Sequence, residues 1–359
     1  MKDLYDISWQ VTEQEYRKDK AISYSTLSTF AREGIKGLKK ISQGFTIDSS
    51  SLRHGSLVDT LLTDKENFKN LYVVSKFKMP TDQVKSIVDL IWKKSDKKIN
   101  NLKKISSDLI LECSREIGYG GASWNESTIV KKIIEAGEEY FHLIPLTEKG
   151  ITPITNEDYQ FAKNCVNALY DNKYTKWLFS NLPNIKVYYQ LKFKINFDDF
   201  NDIKPLQWKE ELLSKNTIRC MFDIIVEDSK NKFLLPIDLK TTSHNEENFD
   251  LSIQDWYYDL QATKYSYILR QVCSQDDKYK DYKILPFCFL PINKFNLNPQ
   301  FYEYKDSIHD LQKTFIDYKG QTHYPWYEYL QKTRWHFNNN EFNYDMETVL
   351  NNGKKIIKF

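Results

Sequence analysis

The sequence contains no CxxC pair and no cysteine close to a histidine at a zinc-binding spacing. Its five cysteines, at positions 113, 165, 220, 273 and 288, stand far apart and read as buried free thiols in a reducing compartment. The opening Met1-Lys2-Asp3-Leu4-Tyr5-Asp6 lacks an apolar signal core, and no run of about 18 apolar residues occurs anywhere. A soluble, cytoplasmic protein with no membrane partner is therefore expected. An excess of charge of either sign is also lacking. The formal net charge is only +2, so a polyanion would have to be met by local basic patches rather than by a globally basic surface. Neither an internal repeat nor a low-complexity segment is present.

What is present is a chain of 359 residues, 41% hydrophobic, long enough for one large domain or two small ones. Aromatics are abundant, with 24 tyrosines and 21 phenylalanines, too many to be wholly buried. Residues 1–22 are polar and aromatic without clear period and read as an arm that docks on the body. Ser23-Tyr24-Ser25-Thr26-Leu27-Ser28-Thr29-Phe30 offers serine caps ahead of a short helix. A second helix is expected over 49–62, where Leu57, Val58, Leu61 and Leu62 make an apolar stripe. Asp59 lies beside that stripe, a position where an acid is more often solvated than a ligand. Gly55, a glycine early in a helix, suggests close approach by another backbone or a ligand.

Residues 80–175 are expected to be largely helical, with helices opening at Pro80-Thr81-Asp82, over Asn101 to Ile117, Ser127 to Tyr140 and Thr155 to Tyr170. The lysines at 93, 94, 97, 98, 103 and 104 read as a solvated face or as a phosphate-holding one. From about 183 the pattern changes to strands. Ile185 to Ile195 alternates with period two. Two apolar strands follow, 221–226 and 232–240, joined by the charged turn Glu227-Asp228-Ser229-Lys230-Asn231. Then come the polar turn Thr241 to His244, one helix from Ile253 to Val272, a last strand from Ile284 to Leu290, and a mixed aromatic, helical tail.

The second strand of that hairpin carries Asp238 and Lys240, two apart and so on one face, and Asp223 can join them from the neighbouring strand. Two carboxylates and a lysine among apolar neighbours are costly to bury unless a cation offsets the acids, which points to a divalent metal site. On the following helix Gln261 and Tyr265 are four apart and share a face.

Taken in this order, Asp223, Pro236-Ile237-Asp238-Leu239-Lys240 and Gln261-x-x-x-Tyr265 resemble the motifs of the PD-(D/E)xK nucleases, in their RecB-like and RecE-like exonuclease branch. The serine-rich opening helix resembles theirs as well. Gly55-Ser56-Leu57-Val58-Asp59 resembles their GxxxH element, with Asp59 where a histidine is usual. Gln190 stands about where relatives often carry a glutamate. The resemblance implies an α/β fold, a restriction-endonuclease-like core with a central mixed sheet flanked by helices. It divides the chain into 1–79 (helical part of the core), 80–180 (helical insertion), 181–295 (catalytic core) and 296–359 (C-terminal extension).

It also implies one or two Mg²⁺ or Mn²⁺ ions held by Asp223, Asp238, the Leu239 carbonyl and Asp59, with Lys240 and Gln261 completing the catalytic set. Substrate contacts are expected from Tyr265, Ser25, Thr241, Lys97 and Lys98. No iron–sulfur cluster is expected, because the cysteines of the cluster-bearing members are missing. The implied activity is hydrolysis of DNA, as an exonuclease at duplex ends in recombination or DNA processing within a bacterial or phage-infected host. A single-strand annealing protein and further copies of the chain are the implied protein partners. A weakened relative that only binds DNA or protein is the alternative, and a structural α/β protein with a plain Asp238–Lys240 ion pair is the bland one.

Overall fold

In the computed structural model, residues 3–44, 50–76, 79–96, 99–121, 123–196, 217–244, 246–308 and 314–355 are described. They fall into two compact units, residues 1–55 with 167–359, and residues 56–166. The N-terminal helices begin where oxygen-bearing side chains cap free backbone N–H groups. Asp3 caps α1 (Leu4–Ile7), Thr12 caps α2 (Glu13–Lys18) and Ser23 caps α3 (Tyr24–Glu33). α4 (Ile35–Ser42) and α5 (Ser50–Thr63) follow. The described part of the expected arm, residues 3–22, docks on the body: Leu4 is fully buried, Trp9 N–H donates to Lys192 O at 2.7 Å, and Ile22 bridges in parallel to Ile218.

The second unit contains α6 (Phe68–Leu71), β1 (Tyr72–Ser75), α7 (Asp82–Lys94), α8 (Ser107–Ile117), α9 (Glu126–Glu148) and β2 (Thr152–Thr155), and the start of α10 (Asn156–Asp171). Its core is the apolar stripe of α7 (Val84, Ile87, Val88, Ile91) against Ile110 of α8 and Ile133 and Phe141 of α9. α7 and α9 approach closely: a Cβ on Gly137 would stand 2.6 Å from Val88 Cγ2. β1 and β2 pair in parallel, which ties residues 72–75 to residues 152–155 within this unit.

The first unit carries the large sheet. β3 (Ile185–Asn196), β4 (Thr217–Asp228) and β5 (Phe233–Thr242) form an antiparallel meander. The chain then passes through α11 (Phe249–Trp256) and α12 (Tyr258–Ser274), adds the short β6 (Lys283–Ile284), and returns as β7 (Phe287–Asn293) parallel to β5. β8 (Tyr302–Tyr304) closes the order β3-β4-β5-β7-β8. A separate hairpin, β9 (Phe315–Ile316) with β10 (Thr322–His323), precedes α13 (Trp326–Asn339) and α14 (Met346–Leu350). The fold is thus mixed α/β, a central mixed sheet flanked by helices. α12 is buried over most of its surface, with Leu260, Ala262, Ile268 and Leu269 in the same core as Phe222, Phe287 and Phe289 of the sheet. No helix among the described residues is long and apolar enough to cross a membrane, and all five cysteines are buried free thiols.

Two differences from the sequence expectation matter. The helix expected from Ile253 to Val272 is broken at Tyr257, which has φ 57° and ψ 40° and ends α11 while opening α12. Glu227 and Asp228, read as part of a charged turn, belong to β4 and are buried. Glu227 accepts hydrogen bonds from the phenols of Tyr188 (2.6 Å), Tyr279 (3.1 Å) and Tyr282 (3.0 Å), and pairs with Lys278 at 3.0 Å. Burial alone would raise its pKa, but bonds from Tyr188, Lys278 and Tyr282 together outweigh burial and lower it below the usual glutamate value of 4.5. A depressed carboxylate pKa contributes stability that is present above the unfolded-state value and lost as pH falls through the folded one. Glu227→Ala, which strands three phenols and an ammonium, is expected to cost about 3–5 kcal/mol in urea unfolding at pH 7. Glu227→Gln is expected to flatten the loss of stability below about pH 4.5.

Candidate active site

The site forms where two strands part. β4 and β5 pair from Asp228↔Phe233 to Ile224↔Ile237 and no further. Beyond that point β4 continues with β3 as far as Thr217↔Asn196, and β5 continues with β7 as far as Thr242↔Asn293. The first residues past the fork are Asp223 and Asp238. Asp223 Oδ2 accepts the Leu239 N–H at 2.8 Å, so a side chain takes over where the backbone ladder stops. On the other side of β4, the β3 register runs without a gap except opposite Asp223. There Gln190 sits at φ 54°, a left-handed conformation that is unfavourable for a side-chain-bearing residue and concentrates at functional positions.

Because side chains alternate along β5, Ile237 is buried on one face while Asp238 and Lys240 share the other, where they meet Gln261 of α12. Asp238 is only 3% exposed. Its Oδ1 accepts from Gln261 Nε2 at 2.5 Å, and its Oδ2 forms an ion pair with Lys240 Nζ. The Lys240 ammonium is thus the partner of that buried Oδ2, as Gln261 is of Oδ1. Lys240 Nζ also donates to Gln261 Oε1 at 3.2 Å and lies 4.7 Å from the Tyr258 ring centroid. One amide therefore gives a donor to the acid and an acceptor to the ammonium. Neither glutamate nor lysine at position 261 could do both. Burial works against the Lys240 charge, but the Asp238 carboxylate, then Tyr258 and Asp223, overcome it and raise its pKa. Lys240 is thus a fixed cation rather than a proton acceptor.

Tyr24 on α3 completes the surroundings, its ring centroid 6.5 Å from that of Tyr258 and its hydroxyl donating to Trp256 O at 2.7 Å. Burial, then Tyr258 and Asp238, raise its pKa, which keeps the phenol protonated. Neither tyrosine is among the residues expected from sequence. Tyr258 carries a readable signal, since it lies three before Gln261 on one helical face. Tyr24 carries none beyond its place in the serine-rich helix.

The other expected residues are distributed as follows. Tyr265 is buried, its ring edge-on to Phe222 at 5.2 Å and to Phe287 at 6.1 Å. Ser25 is exposed on the first turn of α3, 2.7 Å from the Ser23 hydroxyl. Thr241 pairs with Ile292 on β7. A methyl group on Gly55 would stand 4.0 Å from Thr241 Oγ1, which is ordinary contact, so packing against that strand does not require the glycine. Asp59 is half-buried on α5 in the second unit, its backbone carbonyl accepting from Thr63 Oγ1 at 2.9 Å. Lys97 and Lys98 lie outside the described residues.

One turn from Gln261 lies Lys264, fully buried, its Nζ donating to Arg219 O at 2.8 Å and Ile22 O at 3.1 Å. It stitches the N-terminal arm and β4 to α12. Burial pushes its pKa down from 10.5 to about 7, with Cys220 opposing and Arg219 assisting. Above the folded value the unfolded chain binds the extra proton, so stability rises with pH through this window. Denaturation midpoints measured from pH 7 to 9 are expected to climb in the wild type, and Lys264→Met is expected to remove most of that slope. An equal slope in both proteins would contradict the assignment.

Carboxylates such as those of Asp223, which accepts the Leu239 N–H, and Asp238, paired with Lys240, are ligands that suit a hard divalent cation. Mg²⁺ in particular is commonly bound through one or two carboxylates, with waters and substrate phosphate filling its other positions. Among the described residues no group of three or more His, Cys, Asp and Glu side chains converges elsewhere or here. The chain matches no family model and no curated protein.

Proposed function

We propose that this protein is a Mg²⁺- or Mn²⁺-dependent deoxyribonuclease with a restriction-endonuclease-like core of the PD-(D/E)xK type. The observation that carries the reading is the fork between β4 and β5, where Asp223 accepts the Leu239 N–H and the neighbouring Asp238 and Lys240 are joined by an ion pair and by the bridging amide of Gln261. The meander β3-β4-β5, followed by a helical return to a parallel β7, supports the fold assignment.

Asp223, Asp238 and the Leu239 carbonyl would hold the ion. When bound, it would acidify water and neutralise charge on the phosphoryl oxygens. Lys240, kept cationic by Asp238, stands ready to stabilise the negative charge that develops during phosphodiester cleavage. Gln261 fixes the ammonium relative to the acid, and the Tyr258 ring covers it. Preference for duplex ends follows from the resemblance to RecE-like exonucleases.

The test compares linear duplex, closed circular duplex and single-stranded DNA, and RNA of the same sequence, each with Mg²⁺ or Mn²⁺. Progressive release of nucleotides from linear duplex, with the closed circle left intact, is expected. Nicking of the circle at an equal rate would exclude exonuclease action. Absence of hydrolysis of every substrate in both metals would overturn the nuclease reading and leave a binding module.

A further inference from the structure

Gln261 and Tyr258 reach Lys240 from the first turns of α12, which opens at a break directly after α11. The joint is Tyr257, a bulky aromatic at φ 57°. Left-handed backbone is disfavoured for such a residue and persists only where surroundings over-determine it. Tyr329 of α13 meets the Tyr257 ring edge-on at 6.2 Å, and its stacking partner comes from the separate β9–β10 hairpin.

The Tyr257 ring stacks on His323 with centroids 4.0 Å apart and planes 17° from parallel. Phe315 covers the other face of the imidazole at 4.5 Å and 24°. His323 is fully buried, and a carboxylate oxygen faces each ring nitrogen: Asp259 Oδ1 lies 3.4 Å from Nδ1 and Asp317 Oδ2 3.3 Å from Nε2. Asp259 belongs to the first turn of α12, two residues before Gln261. Asp317 belongs to the hairpin, where its other oxygen accepts the backbone N–H groups of Lys319 (2.8 Å) and Gln321 (2.7 Å) and shapes the turn.

The tip of the same turn grips α11. Tyr318 N–H donates to Gln254 Oε1 at 3.0 Å, and both Tyr318 Oη (2.8 Å) and Lys319 Nζ (2.6 Å) reach Asp255 Oδ1. The hairpin thus holds the end of one helix and the start of the next.

We propose that the β9–β10 hairpin is a strap that locks the α11–α12 joint, and that His323 is a positioning residue which sets Gln261 and Tyr258 against Lys240 by clamping Tyr257 and Asp259. As a statement about catalysis this rests on the nuclease reading, but the placement of Gln261 can be read without any cleavage. Two variants and two kinds of readout test it. His323→Ala removes the clamp itself. Asp255→Ala removes only the half-exposed grip on α11, so it keeps the test decisive if the buried substitution fails to fold. The first readout is the Gln261 side-chain amide signal by ¹⁵N NMR, together with backbone amide exchange at 257–261. The second is the division of the effect between kcat and KM on linear duplex.

In His323→Ala the Gln261 amide signal is expected to move and exchange at 257–261 to accelerate, while β4 and β7 stay protected. kcat is expected to fall about tenfold to a hundredfold with KM unchanged, as for a small misplacement of a site group. Asp255→Ala is expected to show the same pattern with a smaller fall. An unmoved Gln261 signal with wild-type exchange in the folded variants would overturn the strap, whether or not the wild type cleaves DNA. A moved signal with wild-type kcat would overturn the positioning role, and loss that appears in KM alone would do the same. An inactive wild type counts against the nuclease reading, and the NMR and exchange results then decide the strap by themselves.

Discussion

Lys240→Met is expected to slow phosphodiester cleavage by about two to three orders of magnitude while tightening the binding of Mn²⁺. The two effects run in opposite directions because Lys240 has two relationships in the site. Toward substrate it is the only cation that the described motif residues present, and removing a preorganised charge of this kind from a secluded site costs rates of that order. Toward Asp238 it is a built-in counter-ion, paired with the buried Oδ2. Without the ammonium, that oxygen is open to a metal and the site carries one more negative charge, so affinity is expected to rise by about tenfold or more. Methionine keeps the length and the apolar stem beside Tyr258, which limits the change to the charge. Lys240→Arg is not expected to restore the rate, because a planar guanidinium does not fit the point contact between Asp238 Oδ2 and Gln261 Oε1. Single-turnover cleavage and titration calorimetry with Mn²⁺ measure the two halves. Wild-type cleavage, or weaker metal binding, in Lys240→Met would refute this account of the lysine.

Asp238→Asn is expected to lower cleavage by at least about three orders of magnitude, since metal assistance is worth several kcal/mol in the transition state. The change is nearly isosteric and its oxygen can still accept from Gln261 Nε2, so the fold has no steric reason to fail. What disappears is charge. Mn²⁺ at about 100 times its dissociation constant stabilises a protein by about 2.7 kcal/mol, and this shift in thermal unfolding is expected in the wild type but not in Asp238→Asn. Asp223→Asn is expected to lose the same shift while its amide oxygen keeps the Leu239 N–H. A full Mn²⁺ shift in both variants would place the metal elsewhere.

The hairpin β4–β5 was legible because its signals are local: apolar runs of strand length, a polar turn between them, and two charged residues in phase on one face. Gln261 was legible for a related reason, as helical spacing fixes its face and the resemblance supplies a partner. Tyr257 was not, because nothing at that position marks a break. No glycine, proline or asparagine announces the turn, and the conformation is held by His323, distant in sequence. The strands β9 and β10, two residues each, are too short to show any period. Glu227 looked like a turn residue because its three phenol partners come from β3 and from the loop after α12. Tyr258 meets Lys240, and Tyr24 meets Tyr258, through packing of α3 and α12 that no single segment encodes.

The most direct measurement is single-turnover hydrolysis of an end-labelled linear duplex by purified wild type and Asp238→Asn, side by side in Mg²⁺ and in EDTA. The account predicts that the wild type degrades the duplex in Mg²⁺ alone and that Asp238→Asn leaves it intact in both conditions. Degradation by Asp238→Asn at the wild-type rate, or by the wild type in EDTA, would contradict a metal-dependent site at the fork of β4 and β5.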